Sequence, residues 1–272
     1  MKAVSKIYTT LIFVFLYAPI LIMIIFSFNA SKSRSVWGGF SLEWYAKLFE
    51  DEAILSALKN TLLVASVSAI AATVIGTLAA IGIYMMSKRA RSAIMAVTNI
   101  PMVNPEIVTG VSLMLLFVFI FGLLAKLGIE LQLGLGTLIL SHITFNIPYV
   151  ILSVMPKLRQ MDPNVYEAAL DLGCKPFAAL RKAIVPQIMP GITTGLIMAF
   201  TLSIDDFVIS YCTSGPDAQT LSVLIYSMTR RIVSPKINAL SAIMFVTVLV
   251  LLIIVNLRQM RDDNKTQRRT RK

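Results

Sequence analysis

The chain has 272 residues, of which 57% are apolar and only 14% charged, with a mean hydropathy of +0.78. This apolar share is well above that of soluble domains, so an ordinary water-soluble globular protein is excluded. The formal net charge of +11 would suit a nucleic-acid-binding protein, but the basic residues fall between long uncharged runs, as they do in membrane proteins.

Uncharged runs of membrane-spanning length recur along the chain, and a helix needs about 20 apolar residues to cross a bilayer. The six runs are Ile7–Ser31, Asn60–Ser87, Ile107–Ala125, Leu131–Pro156, Ala183–Ile204 and Ile237–Leu257. They predict an all-α integral membrane protein with six transmembrane helices. The first run follows Lys2 and Lys6 as in a signal peptide, but no small-residue cleavage site follows it, so we expect it to be retained.

The basic residues are distributed unevenly between these runs. If the N-terminus is cytoplasmic, 17 of the 25 Lys and Arg residues lie inside and 8 lie outside. Cytoplasmic loops of membrane proteins are rich in Lys and Arg, so both termini are predicted to be cytoplasmic. The C-terminal segment, 258–272, is predicted to be a basic cytoplasmic tail close to anionic lipid.

Aromatic residues are concentrated in the outer loop after the first run. Ser41 is a plausible helix N-cap, and Trp44, Tyr45 and Leu48 follow it at helical spacing. This pattern predicts a short helix at the membrane surface, whose expected role is that of an aromatic anchor.

Small residues and prolines mark the second and third runs. In the second run, small side chains recur at every fourth residue, at Ser68, Ala72, Gly76 and Ala80. Another helix can approach this face closely, which we interpret as packing. Before the third run, Pro101 and Pro105 can each break a helix, so the third span is predicted to be discontinuous. A place beside a water-filled pathway and a plain proline kink both stay open.

The fourth run carries a polar helix face. Its members, spaced by four, three and four residues, are His142, Asn146, Tyr149 and Ser153. Such residues can line a pore or form hydrogen bonds to a neighbouring helix, and the sequence leaves both open. A metal site is not predicted, because His142 is the only histidine. A disulfide is not predicted either, because a whole span separates Cys174 from Cys212.

The loop between the fourth and fifth runs, 161–191, has the pattern of two short helices. Asp162 can cap the first helix, Pro163 suits its first position, and Gly173 suits its end. Pro176 suits the start of the second helix. Apolar residues line one side of each helix, so we expect a hairpin whose apolar faces are covered by a protein partner or by lipid headgroups.

Part of this loop resembles the EAA motif of bacterial ABC-importer permeases. The matching residues are Glu167, Ala168, Ala169, Gly173 and Pro186. The pattern usually has isoleucine and leucine where this chain has Ala183 and Val185. The resemblance implies a type I, MetI-like permease fold with a cytoplasmic coupling hairpin, here 161–187. It also implies that the hairpin docks into a separate ATPase subunit and that Glu167 pairs with a basic residue there.

The chain lacks a catalytic or nucleotide-binding motif of its own. It has no G-x-x-x-x-G-K-[ST] loop to hold nucleotide phosphates, so the energy for transport must come from a partner. No cofactor is predicted, and the chain is not predicted to be an enzyme.

Acidic residues are the charges found in the predicted spans or directly beside them: Glu106, Asp205 and Asp206. An ionised acid in a span costs about 2.5–3.5 kcal/mol, so it usually faces a cavity or a partner. Adjacent helical residues point about 100° apart, so we expect only one aspartate to face a pathway and favour Asp205. The alternative is that both aspartates are solvated at the outer helix end. A cationic substrate would find counter-charges here, with Tyr149 and Asn146 as further candidate pathway residues.

Segments along nearly the whole chain resemble spermidine/putrescine importer permeases of the PotC type. These are SLEWYAKLF, LSHITFNIPYV, EAALDLG, FTLSIDDFVIS and LSVLIYSMTRRIVSPKINAL. In that family, two different permease subunits pair in the bacterial inner membrane with two copies of an ATPase, and an external binding protein delivers the polyamine. The resemblance implies a permease core at 61–257, preceded by a helix and outer loop at 1–60.

Three alternative functions differ in substrate or mechanism. A permease of the same fold for ferric iron, thiamine or an oxyanion would share the EAA loop, although the lack of buried basic residues argues against an oxyanion. A channel or secondary transporter would need no ATPase and often contains an inverted repeat, which we do not find in this sequence. An intramembrane enzyme would need a nucleophile and a base, and the sequence offers neither H-E-x-x-H nor G-x-S-x-G.

Overall fold

The computed structural model describes residues 2–31, 36–230, 235–250 and 253. The predicted cytoplasmic tail, 258–272, lies outside these residues. Of the sixth predicted span, the part after Val250 also lies outside them, except for residue 253. Within the described part of the chain the regular structure is helical, apart from one isolated antiparallel bridge between Asn29 and Phe40. The all-α prediction is confirmed.

Five of the described helices are long and apolar enough to cross a membrane. The helices in chain order are α1 (Lys2–Phe26), α2 (Glu43–Phe49), α3 (Glu52–Met85), α4 (Lys88–Val103), α5 (Glu106–Ala125), α6 (Leu135–Gln160), α7 (Val165–Asp171), α8 (Pro176–Ala179), a π-helix (Leu180–Ile184), α9 (Val185–Asp205), α10 (Val208–Thr213), α11 (Leu221–Arg230) and α12 (Pro235–Val250). Helices α3 and α6 extend beyond the uncharged runs, because flanking turns can carry charged side chains that reach water. Helix α12 is the described part of the sixth predicted span.

The chain forms two compact units. The first contains Met1–Ser56 and Leu224–Ile254, and the second, within the described residues, contains Ala57–Val223. The first unit therefore combines two segments that are distant in sequence, whereas the predicted division at residues 60 and 257 follows sequence order and stays a prediction. The candidate coupling and pathway residues all lie in the second unit.

The first unit contains the short helix predicted after Ser41, observed as α2. Trp44 is only 6% exposed, and its indole Nε1–H donates to the Asn29 carbonyl at 2.8 Å. The expectation that this helix is a surface anchor is therefore wrong for Trp44, which packs inside the chain. At the end of α2, Asp51 forms an ion pair with Lys236 of α12, and the hydrogen bond from Lys236 lowers the pKa of the Asp51 carboxyl.

The core of the second unit is formed by α3, α6 and α9. The small-residue face predicted on α3 is buried, and a side-chain carbon added to Gly76 would come within 2.8 Å of Val150 on α6. A carbon added to Gly195 of α9 would also come within 3.3 Å of Val150. The predicted role of the α3 face in packing is confirmed.

Replacing Gly76 by alanine is expected to destabilise the fold by about 1–3 kcal/mol, because the new methyl group forces α3 away from α6. The measurement is the thermal midpoint of the purified protein in detergent. Gly82→Ala is the matched control on the same helix, since nothing lies within 4 Å of its added carbon. Equal midpoints for the two variants would contradict the proposed close approach at Gly76.

The discontinuity predicted near Pro101 and Pro105 is present between α4 and α5. Asn104 is extended, with φ −75° and ψ 137°, and α5 begins directly after Pro105. The break falls here because the ring of Pro105 disfavours helical geometry in the residue before it. Pro101 lies within the last turn of α4 and does not end that helix. The predicted break is thus confirmed and assigned to Pro105.

Candidate functional site

The hairpin that follows α6 begins two residues later than the sequence predicts. The Asp162 carboxylate accepts the N–H of Asn164 at 2.9 Å and so stabilises the turn before α7 rather than its first residue. Helix α7 begins at Val165, and Pro163 precedes it. The predicted stop is confirmed, because Gly173 follows α7 with φ +82°, a conformation that side chains disfavour.

The second helix of the hairpin is not a separate short helix, and this prediction is wrong. From Pro176 the chain runs through the π-helix, Leu180–Ile184, directly into α9, giving one apolar helical stretch that ends at Asp205. The wide π turn lies just before Pro186, whose ring would clash with the Lys182 carbonyl in an uninterrupted α-helix. The hairpin is therefore continuous with the fifth span.

The residues of the EAA motif lie largely on the surface. Glu167, Ala168, Gly173 and Pro186 are exposed, and Ala169 is half-buried. Two large apolar side chains lie near the turn of the hairpin, where Leu172 is 86% and Phe177 is 76% exposed. Large apolar side chains exposed in this way are typical of a surface that binds another protein.

The inner side of the hairpin packs on the ends of the membrane helices. Val165, Tyr166 and Leu180 contact the core formed by α3, α6 and α9. Beside them lies a half-open cavity of about 200 Å³, whose lining includes Tyr84 of α3, Leu158 of α6 and Glu167. The hairpin thus contacts the chain on one side and exposes its motif on the other.

The two aspartates at the end of α9 have different environments. Asp205 is exposed, whereas the Asp206 side chain is 3% exposed. The Asp206 carboxylate accepts the N–H groups of Ser210 at 2.7 Å and Ile209 at 3.3 Å, so it caps α10. It also lies 3.6 Å from His142 Nε2. The Asp206 carboxylate is therefore engaged in contacts within the chain, whereas the Asp205 carboxylate is accessible to a ligand.

The polar face of α6 forms hydrogen bonds to neighbouring helices. His142 Nε2 lies 3.1 Å from the Ser210 hydroxyl of α10, and Asn146 Nδ2 donates to the Ser203 hydroxyl of α9 at 2.7 Å. Ser203 in turn lies 3.2 Å from the hydroxyl of Ser68 on α3. His142 and Asn146 have no exposed surface in this conformation, so the pathway role predicted for Asn146 has no support here.

The remaining candidate pathway residues are more accessible. Tyr149 is half-buried, with its ring 5.2 Å from that of Phe145. Glu106 is exposed in the first turn of α5, directly after the helix break, and is near enough to Tyr149 for an electrostatic interaction. The pathway roles of Tyr149, Glu106 and Asp205 stay predictions.

The sequence reasoning missed α10, the short helix that follows the two aspartates. Helix α10 packs against α5 and α6, and the Thr137 hydroxyl of α6 donates to the Thr213 carbonyl at its end. The available signal was Asp206, because an aspartate side chain readily accepts N–H groups of the first turn of a helix; here it does so from the position before the N-cap residue, Phe207.

Replacing His142 by alanine is expected to destabilise the second unit by about 1–3 kcal/mol, because the buried Ser210 hydroxyl loses its hydrogen-bond partner and the Asp206 carboxylate loses one of its contacts. Thr144→Ala is the matched control, since Thr144 is an exposed residue of the same helix whose hydroxyl donates to the Leu140 carbonyl within that helix. Thermal midpoints in detergent provide the measurement. A His142 variant as stable as the Thr144 variant would contradict a structural role for this cluster.

The sequence matches a family described as "binding-protein-dependent transport system inner membrane component" over residues 72–261. The putrescine transport system permease protein PotI of Escherichia coli (strain K12) is 41% identical over 232 residues, which are 85% of this chain and 82% of PotI. The spermidine/putrescine transport system permease protein PotC of the same strain is 40% identical over 246 residues, 90% of each chain. PotC of Haemophilus influenzae is 35% identical over 246 residues, 90% of this chain and 92% of its own.

Solved structures show the same fold at lower sequence identity. A bacterial ABC transporter involved in the import of the acidic polysaccharide alginate has a TM-score of 0.74 and 21% identity, covering 95% of both chains. The alginate transporter in complex with its pentasaccharide-bound periplasmic protein has a TM-score of 0.72 and 20% identity, covering 95% of this chain and 94% of the other. These similarities confirm the predicted permease fold.

Proposed function

Because the chain belongs to the family of binding-protein-dependent transport system inner membrane components, we propose that it is the permease subunit of an ATP-driven importer for polyamines. It is a multi-pass inner-membrane protein of the ABC-importer permease type. The substrate assignment is supported by the similarity to permeases named for putrescine and spermidine, which are 40–41% identical to this chain over most of both chains. The cargo is thus a linear polycation.

The charges of the second unit are compatible with such a cargo. Asp205 and Glu106 are exposed acids, and Tyr149 presents part of an aromatic ring. A protonated amine is attracted to carboxylates and to aromatic faces, the latter by about 0.5–2 kcal/mol. These three residues are proposed to contact the polyamine as it crosses the membrane, whereas Asp206 positions α10.

ATP hydrolysis is proposed to take place on separate subunits. The exposed motif around Glu167, together with Leu172 and Phe177, is proposed to dock into one copy of a cytoplasmic ATPase. A second, homologous permease subunit is proposed to dock into the other copy. An external binding protein would deliver the polyamine. Both termini are proposed to be cytoplasmic, which places the hairpin on the same side as the ATPase.

Uptake of radiolabelled putrescine and spermidine by cells that lack only this subunit tests the proposal. We expect uptake of at least one polyamine to be lost and to return when the intact chain is supplied. Uptake of an unrelated amino acid is the control for general damage to the membrane. Unchanged polyamine uptake combined with lost uptake of thiamine or ferric iron would assign the chain to another cargo.

A further inference from the structure

The segment that follows α1 exposes aromatic side chains. Trp37 is 49% and Phe40 is 70% exposed. The ring of Trp37 packs edge-on against Phe26 in the last turn of α1, with centroids 6.1 Å apart, and Phe40 stacks on Phe28 at 5.2 Å. Both exposed rings therefore lie beside the C-terminal end of a membrane helix.

Hydrogen bonds around Asn29 hold this segment in one conformation. The buried Asn29 side chain accepts the N–H of Gly38 at 2.7 Å and donates to the Val36 carbonyl at 2.8 Å. Two backbone bonds, from Ala30 to Gly39 at 2.9 Å and from Ser41 to Phe28 at 2.7 Å, close it further. A buried side-chain amide whose hydrogen bonds are formed fixes the local backbone, so the Asn29 network holds the two rings in their exposed positions.

The two tryptophans of the chain have opposite environments. Trp44 is buried and its indole N–H is bonded to the Asn29 carbonyl, so it contributes to the frame of the segment. Trp37 lies on the outside of that frame. One tryptophan of the chain is thus internal and the other, which precedes α2, is external.

We propose that Trp37 and Phe40 form an aromatic anchor that inserts into the lipid headgroup region at the C-terminal end of α1. Helix α1 is long and apolar enough to cross a membrane, and its most apolar window has no residue buried within the chain, so α1 presents an apolar surface outwards. The anchor continues this surface at the point where the helix ends. An indole combines an apolar ring with a polar N–H, which suits the boundary between acyl chains and headgroups. This proposal is independent of the transported substrate.

The test uses the full chain in phosphatidylcholine vesicles whose acyl chains carry bromine either close to the headgroup or near the bilayer centre. The intact chain contains Trp37 and Trp44, whereas Trp37→Phe contains only Trp44, so their difference is the emission of Trp37. We expect shallow bromine to quench most of the Trp37 emission, deep bromine to quench less, and Trp44 to be quenched little. An unchanged Trp44 emission maximum shows that Trp37→Phe is folded.

Two results would overturn the proposal. Quenching of Trp37 by aqueous iodide but not by brominated lipid would show that the ring faces water, as it would for a site that receives a soluble protein. Protection from both quenchers would show that protein covers the ring, as in contact with a second copy of the chain.

Discussion

Replacing Glu167 by glutamine is expected to lower polyamine uptake about tenfold or more, because it removes the charge proposed to pair with the ATPase. Glu167 is exposed in the first turn of α7, and the inner side of the hairpin rests on the membrane helices. Loss of one partner of a hydrogen-bonded charge pair at an interface costs about 2–5 kcal/mol, and each 1.4 kcal/mol is a factor of ten in affinity. Co-purification of the ATPase with the tagged permease, and uptake by intact cells, measure the effect.

The matched control is Glu130→Gln, which removes an exposed carboxylate from the segment between α5 and α6. It is expected to leave uptake and co-purification unchanged. Both variants should reach the membrane in equal amounts, because neither side chain is buried. If Glu167→Gln retained the ATPase and transported at the normal rate, the hairpin would not be the coupling surface.

The fold was predictable from the sequence where a single physical requirement, such as the thickness of the bilayer or the sterics of one residue, determines the structure. A bilayer requires about 20 uncharged residues per helix, so the runs located the spans that the structure describes. Backbone sterics are equally local, so Pro105 predicted the break before α5 and Gly173 the end of α7. The continuity of the hairpin with α9 was missed because Arg181 and Lys182 end the uncharged run, although charged residues do not end a helix.

The candidate site was predictable only in part, because it depends on which helices meet. The geometry of a helix indicates that Asp205 and Asp206 point in different directions, but it does not tell which one finds a partner. That depends on His142 of α6 and on the N–H groups of α10, an element that the sequence pattern did not reveal. Asn146 illustrates the same limit, because its spacing places it on a polar face of α6, whereas its burial depends on the neighbouring Ser203 of α9.

Replacing Asp205 by asparagine is expected to raise the polyamine concentration required for half-maximal uptake about tenfold. The exposed carboxylate is proposed to meet a protonated amine, and a hydrogen bond to a charged group contributes about 1.5–3 kcal/mol. The side chain has the same size and the residue is exposed, so the thermal midpoint should not change. The measurement is the concentration dependence of spermidine uptake in cells with equal amounts of the subunit in the membrane. Asp205→Glu, which keeps the charge, should restore most of the uptake.

Two control variants test whether the reduced uptake of Asp205→Asn reflects a general loss of surface negative charge or a loss of stability. Asp217→Asn removes another exposed acid, from the segment after α10, and is expected to leave uptake unchanged. Asp206→Asn is expected to lower the thermal midpoint instead, because it weakens a buried cap of α10 and the contact with His142. Normal spermidine uptake by Asp205→Asn, or a loss equal to that of Asp217→Asn, would remove Asp205 from the pathway. A stable Asp206 variant with impaired uptake would show that the buried aspartate, and not its exposed neighbour, becomes accessible during transport.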